Sequence, residues 1–224
     1  MLQRGLLLAF IFSVNVVAET DQWQLWKQQE GASIYFKEHL NGILQVRAEI
    51  TINDVQANDF MALLSDTEVA PLWIENVTQV DVLKNLSPSE TIVWTQFNSP
   101  WPVSDRDMIS YSCYQRLNNA QTKLTILAVP DYQAKREGVI RITELKASWL
   151  FTENSEGAVS RLTINHQVYA DPGGTIPHWL SNKVALSSAM RTMQRLKTRL
   201  INKEYKQRDP VSQVGECTHQ PSTS

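Results

Sequence analysis

Arg106 stands between two carboxylates, Asp105 and Asp107, in the stretch SDRD. A guanidinium in that setting has two uses. It can offer its planar fork to a phosphate or carboxylate, or it can be held in a salt-bridged turn that shapes a strand entry. The four histidines (His39, His166, His178, His219) are scattered, with no second ligand at useful spacing, so no metal site is expected. His166 alternates in phase with Leu162, Ile164 and Val168 and so can point inward. A hydrogen-bonded interior histidine is favoured over a catalytic one, because no Ser or Cys nucleophile assembles around it. Arg141, in VIRIT, reads as part of a solvated strand face, and Glu144 and Lys146 as exposed charges rather than an acid and a base. No cofactor is expected.

The two cysteines are far apart, Cys113 in an expected strand and Cys217 in a polar tail. An oxidising compartment permits a disulfide, but joining a strand to a tail would be unusual, and two cysteines do not make a scaffold. The compartment is suggested by residues 1–18: one basic residue (Arg4), an apolar run from Gly5 to Val17, and a small residue before Glu19. This pattern reads as a cleaved secretory signal and predicts a periplasmic protein. The run is short for a membrane span of about 20 residues. Loss of Arg4 takes the formal charge from −2 to −3. Nucleic acid is disfavoured as a partner, since its binding needs a basic stripe.

These residues must be positioned by one domain, 19–201, followed by a polar tail, 202–224, that is expected to fray. DQWQLWKQQEG reads as a helix with Trp23 and Trp26 on one face and Gly31 as its stop. ILQVRAEITI alternates apolar and polar residues, as a half-buried antiparallel strand should. A helix over VQANDFMALLSD would be capped by Asn53 or Asp54. Then come NVTQVDVLKNL, TIVWTQF, DMISYSCYQRL, KLTILAV, VIRITELKASWLF and VSRLTINHQVY, short-looped segments that favour sequential antiparallel pairing. The two longest must curl, which makes a concave side. The last element, Ile176 to about Ile201, carries one apolar stripe through Trp179, Leu186, Met190, Met193, Leu196 and Leu200. Small neighbours such as Ala185 and Ala189, with adaptable Met, leave space beneath it. The expected class is α+β: a curved antiparallel sheet gripped by a long C-terminal helix around a cavity.

Four segments in order resemble the START domains, the steroidogenic-acute-regulatory-related lipid-transfer family. They are PLWIENVTQVDVL, SPWPVSDRDMISY, GVIRI and DPGGTIPHWLSNKVA. The resemblance spans roughly Trp23 to Leu200 and implies a helix-grip fold holding one hydrophobic lipid in a tunnel. It implies transient membrane contact, with entry through movement of the C-terminal helix and a nearby loop, matched here to Arg116–Gln121. The sterol-binding branch places an arginine six residues after the SxRD arginine, paired with a carboxylate on the preceding strand. Here that position is Ser112, and TIVWTQF carries no carboxylate. A phospholipid or other acyl lipid is therefore expected rather than a sterol. The expected lipid-binding residues are Arg106, Trp94, Tyr111, Ser112, Trp149, His166, Ala189, Met190 and Met193. The alternative is a helix-grip enzyme of aromatase, cyclase or hydrolase type acting on a small hydrophobic substrate.

Overall fold

The computed structural model describes residues 22–99, 103–156, 159–206 and 214–221; the expected leader, 1–18, lies outside the described residues. The chain opens as a hairpin, not a helix. β1 (Gln24–Gln29) pairs antiparallel with β2 (Ala32–Glu38). Between them Glu30 and Gly31 both take positive φ, 54° and 85°, the mirror-image turn that suits a two-residue hairpin. Gly31 thus closes a strand pair where a helix stop was expected. A bulge between Leu25 and Lys27 breaks the period of two and leaves Trp23 and Trp26 at a spacing that imitates a helix face. The Trp23 ring instead carries the Arg47 guanidinium, 4.8 Å from its centroid.

β3 (Leu44–Asn53) alternates as read, with Leu44, Val46, Ala48, Ile50 and Ile52 buried. α1 (Ala57–Ser65) starts later than expected. Its cap is Gln56, whose N–H donates to Asp59 Oδ2 at 2.9 Å, while Asp54 sits in the preceding turn with φ 58°. After the short α2 (Ala70–Trp73) come β4 (Val77–Ser87), β5 (Glu90–Phe97), β6 (Arg106–Arg116) and β7 (Gln121–Ala128). VIRITELKASWLF splits into β8 (Ile140–Arg141) and β9 (Glu144–Glu156), followed by β10 (Val159–Asp171). The sheet runs β1-β2-β3-β10-β9-β7-β6-β5-β4, antiparallel throughout except that β8 pairs parallel with β6.

The turn into α3 (His178–Asn202) needs its glycines. Gly173 and Gly174 hold φ 64° and 72°, and a Cβ on Gly174 would stand 2.9 Å from Ile140 Cδ1. Asp171 Oδ1 accepts the Gly173 N–H at 2.8 Å and so ties the turn to the end of β10. At 1.5 Å per residue α3 is about 37 Å long. Leu186, Met190, Met193, Leu196 and Leu200 are buried in the main core with Phe60, Trp73, Phe151, Leu162 and Ile164. Trp179, expected in that stripe, is 69% exposed, and its neighbours Pro177 and His178 at the helix start are exposed too.

A second core lies on the other side of the sheet. Ile92, Trp94, Ile109, Tyr111, Cys113 and Leu127 are buried there, with Val129 and Cys217 packed on them. Cys217 is disulfide-bonded to Cys113, 104 residues away. Residues 214–221, expected to fray, lie against the sheet: Gly215 N–H donates to Tyr114 O at 3.0 Å, and His219 N–H to Glu90 Oε1 at 2.7 Å.

Candidate functional site

The concave side of the sheet holds a cavity of about 440 Å³, within the usual ligand-pocket range of roughly 300–1,000 Å³. Its wall can be built from the pleat. Residues of one parity face in, and the strand register aligns them into rows. One row runs His166, Trp149, Leu124 and Tyr114 across β10, β9, β7 and β6. The next runs Val168, Ala147, Ile126, Ser112 and Thr91, reaching β5. Ser110, Met108, Val93 and Thr95 continue the wall beyond them. Leu64, Ser65 and Thr67 from the end of α1, and Ala70, Trp73 and Ile74 at α2, form the roof.

None of the described lining residues is Asp, Glu, Lys or Arg. The polar groups are hydroxyls (Ser65, Thr67, Ser89, Thr91, Thr95, Ser110, Ser112, Tyr114), one amide (Asn85), His166 and the indole N–H groups of Trp73 and Trp149. The His166 ring stacks on Trp149, centroids 3.8 Å apart and planes 14° apart. Its Nδ1 donates to Ser148 O at 3.0 Å. Burial pushes its pKa down to about 4, more than the bond to Ser148 raises it, so the ring is neutral near pH 7. His166 and the Ser110 and Ser112 hydroxyls are three strand steps apart, roughly 14 Å at 4.8 Å per step. No hydrogen bond among the described residues joins His166 to a hydroxyl or thiol that it could activate.

Of the nine expected lipid-binding residues, Ser112, Trp149 and His166 line the cavity. Trp94 and Tyr111 do not. Both have the opposite parity on their strands and sit in the second core, with Trp94 Nε1 donating to Asp107 and Tyr111 Oη to Glu90. Ala189, Met190 and Met193 are not lining residues either, since the helix stripe fills the main core beside the cavity. The small residues of α3 serve close approach instead: Ser188 Oγ accepts from Asn76 Nδ2 at 2.9 Å. Thr192 Oγ1 accepts the Glu75 N–H at 3.0 Å, and Arg191 and Arg195 both reach the Glu75 carboxylate at 2.7 Å. The helix therefore clamps the α2–β4 corner from outside. No residue of Arg116–Gln121 lines the cavity; that segment is the β6–β7 turn, where Ala120 O accepts the Glu153 N–H.

The curved sheet, its clamping helix and the apolar cavity have relatives. The START domain profile matches residues 11–206. The chain belongs to the START domain family. A solved structure of a STAR-related lipid transfer protein from Xanthomonas axonopodis superposes with a TM-score of 0.72 at 28% identity, covering 81% of this chain and 99% of that one. An uncharacterised protein of Pseudomonas aeruginosa is 24% identical over 88% of this chain and 96% of its own length. Human phosphatidylcholine transfer protein is 25% identical over 73% of this chain and 76% of its own length.

In this START domain the SDRD motif builds structure at the cavity end near the Pro-Gly-Gly turn. Arg106 is buried; its Nη1 donates to Ser99 Oγ at 3.1 Å and to Ser104 O, and its Nε to Pro172 O at 3.4 Å. It ties β6 to the turn before α3 and is not a lining residue. Arg106→Leu is accordingly expected to cost about 2–3 kcal/mol of stability through lost charged hydrogen bonds, with lipid uptake unchanged in the folded protein. A thermal melt run beside an uptake assay checks this, and lost uptake at an unchanged melting point would return Arg106 to the ligand. Arg141 is not on a solvated face. It is 5% exposed and forms a bidentate ion pair with Asp107.

Proposed function

We propose that this START domain binds one acyl lipid, phospholipid included, in the cavity and carries it between membrane surfaces. The observation that carries this reading is the apolar wall itself: about 440 Å³ spanned by six strands with no charged lining residue among those described. Such a wall suits hydrocarbon, whose transfer from water is favourable by about 25 cal/mol per Å². An acyl lipid is favoured over a sterol because the position of the sterol-branch arginine is Ser112, and the residue opposite it in register is Thr91. The human relative is a phosphatidylcholine transfer protein, which supports the same class.

Exchange would require α3 to move off the Glu75–Asn76 corner, since that corner adjoins Ile74 and Val77 of the wall. Membrane contact is assigned to the helix entry. Trp179 and Leu40 are 69% and 83% exposed there, on segments joined by the Asn182 side chain, which bridges Gly42 O and Leu44 N–H. The basic end of α3 is occupied otherwise: Lys197 donates to Glu30 O, Arg199 pairs with Glu204 and Lys206 with Glu68. Export to the periplasm is part of the proposal, and the Cys113–Cys217 disulfide supports an oxidising compartment.

The test fills the cavity. Ala147→Phe places a ring in the middle of the wall, between Trp149 and Leu145. Uptake of a fluorescent acyl lipid from vesicles is expected to fall at least tenfold, about 1.4 kcal/mol, while the protein stays folded by circular dichroism. Unchanged uptake by a folded Ala147→Phe protein would refute a ligand in this cavity.

A further inference from the structure

We infer that His166 Nε2 accepts a hydrogen bond from an uncharged hydroxyl of the bound lipid, and so sets a preference for hydroxyl-bearing lipids over equal chains without a donor. The inference rests on the proposed lipid binding and names the chemistry at one end of that same cavity.

The ring is held in one orientation from two sides. Trp149 covers one face at 3.8 Å, and Nδ1 is committed to the Ser148 carbonyl on the neighbouring strand. A carbonyl only accepts, so Nδ1 carries the proton, and in the neutral ring Nε2 keeps its lone pair. Nε2 makes no hydrogen bond among the described residues, and His166 lies on the cavity wall. A second polar atom at this end is also unpaired: the indole N–H of Trp73, a buried lining residue whose ring packs edge-on against Trp149 at 6.0 Å. Buried polar atoms are normally paired, so the unpaired Trp73 indole N–H beside an uncommitted imidazole acceptor, both on the cavity wall, points to a partner brought by the ligand.

That partner must donate, which excludes an ester, an ether or a carboxylate. It must also be uncharged. Among the described residues no acidic side chain lines the wall to pair with an ammonium, and no basic one to pair with an anion. A hydroxyl meets both conditions. It can donate to His166 and still accept from a neighbouring N–H, as a long-chain alcohol or the free hydroxyl of an acylglycerol would.

The experiment compares hexadecan-1-ol with its methyl ether, which keeps the chain and the oxygen but loses the donor, by competition against a fluorescent fatty-acyl probe on delipidated full-length protein. The wild type is expected to bind the alcohol about tenfold more tightly, the worth of one neutral hydrogen bond. In His166→Phe that ratio should fall to near one. Should His166→Phe fail to fold, the wild-type imidazole ¹⁵N spectrum decides: Nε2 must shift on adding the alcohol and stay unmoved with the ether. Equal binding of both ligands by the wild type, or an unshifted Nε2, overturns the role of His166 and leaves the lipid reading standing. Binding of neither ligand, with no uptake of the probe, overturns the lipid reading itself.

Discussion

Asp107→Ala is expected to lower the unfolding free energy by about 3–5 kcal/mol and the melting midpoint by roughly 6–20 °C. Asp107 is the last residue of the SDRD motif and is fully buried. Its two oxygens accept from Arg141 Nε and Nη2 at 2.7 and 2.8 Å, and Oδ2 also accepts from Trp94 Nε1 at 2.9 Å. Burial alone would raise its pKa; the hydrogen bonds from Arg141 and Trp94, with the charges of Arg141 and Arg136, outweigh that and hold it below its ordinary value. Removing the carboxylate leaves a guanidinium in a dry site and an indole N–H without an acceptor. It also unpins β8 from β6, and with it the segment from Pro130, whose carbonyl accepts Arg141 Nη1 at 2.7 Å. Urea and thermal unfolding measure the loss. Asp107→Leu combined with Arg141→Met should recover much of it, because removing both charges leaves no uncompensated ion. A single Asp107→Ala protein melting within about 2 °C of the wild type would show that the pair contributes little.

The same residues show how far the sequence could be read. Alternation in β3, β9 and β10 and the stripe of α3 were legible because one side of each meets the main core. On β5 and β6 the alternation separates two sets of residues without saying which set faces the cavity, since both sides are buried. Large aromatics drew the sequence reading, yet Trp94 and Tyr111 fill the second core, where the tail and the segment before β8 cover the sheet. A void requires small groups around it. The signal that was present lies in Thr91 and Thr95 on one strand and Ser110 and Ser112 on the next, four hydroxyls that share the cavity-side parity of their strands. Arg141 was misread because its partner lies 34 residues earlier, and its strand is too short to show a period. β1 was misread because a bulge gave two tryptophans helical spacing. The helix clamp was legible as an amphipathic element; its polar ties to Glu75 and Asn76 were not, because they depend on where a distant corner comes to rest.

Reduction of Cys113–Cys217 should cost about 2–4 kcal/mol and lower the melting midpoint by roughly 5–15 °C. The bond closes a loop of 104 residues, for which chain entropy alone sets a ceiling of about 4.7 kcal/mol. The expected loss is smaller because the tail keeps other anchors after reduction. Glu90 is fully buried and accepts from Tyr111 Oη at 2.7 Å, His219 N–H at 2.7 Å, His219 Nδ1 at 2.9 Å and Ser87 Oγ at 2.9 Å. Burial raises its pKa, but these donors outweigh it and keep the carboxyl below the usual carboxylate range. Melts with and without reductant, repeated on Cys113→Ser with Cys217→Ser, separate the bond from side effects of the reagent: the double variant should melt like the reduced wild type and ignore reductant. An oxidised wild type whose midpoint does not move on reduction would show that the polar anchors suffice alone. The tail also bears on the cavity. Gly215 bonds to Tyr114 O and Glu216 O accepts from Ser89 Oγ, and both Tyr114 and Ser89 line the wall. A Cβ on Gly215 would stand 2.8 Å from Ser89 Oγ, so the strap lies directly on the β4–β5 turn. Loosening it by reduction is therefore expected to raise amide exchange at Ser89 and Tyr114 before the sheet as a whole opens.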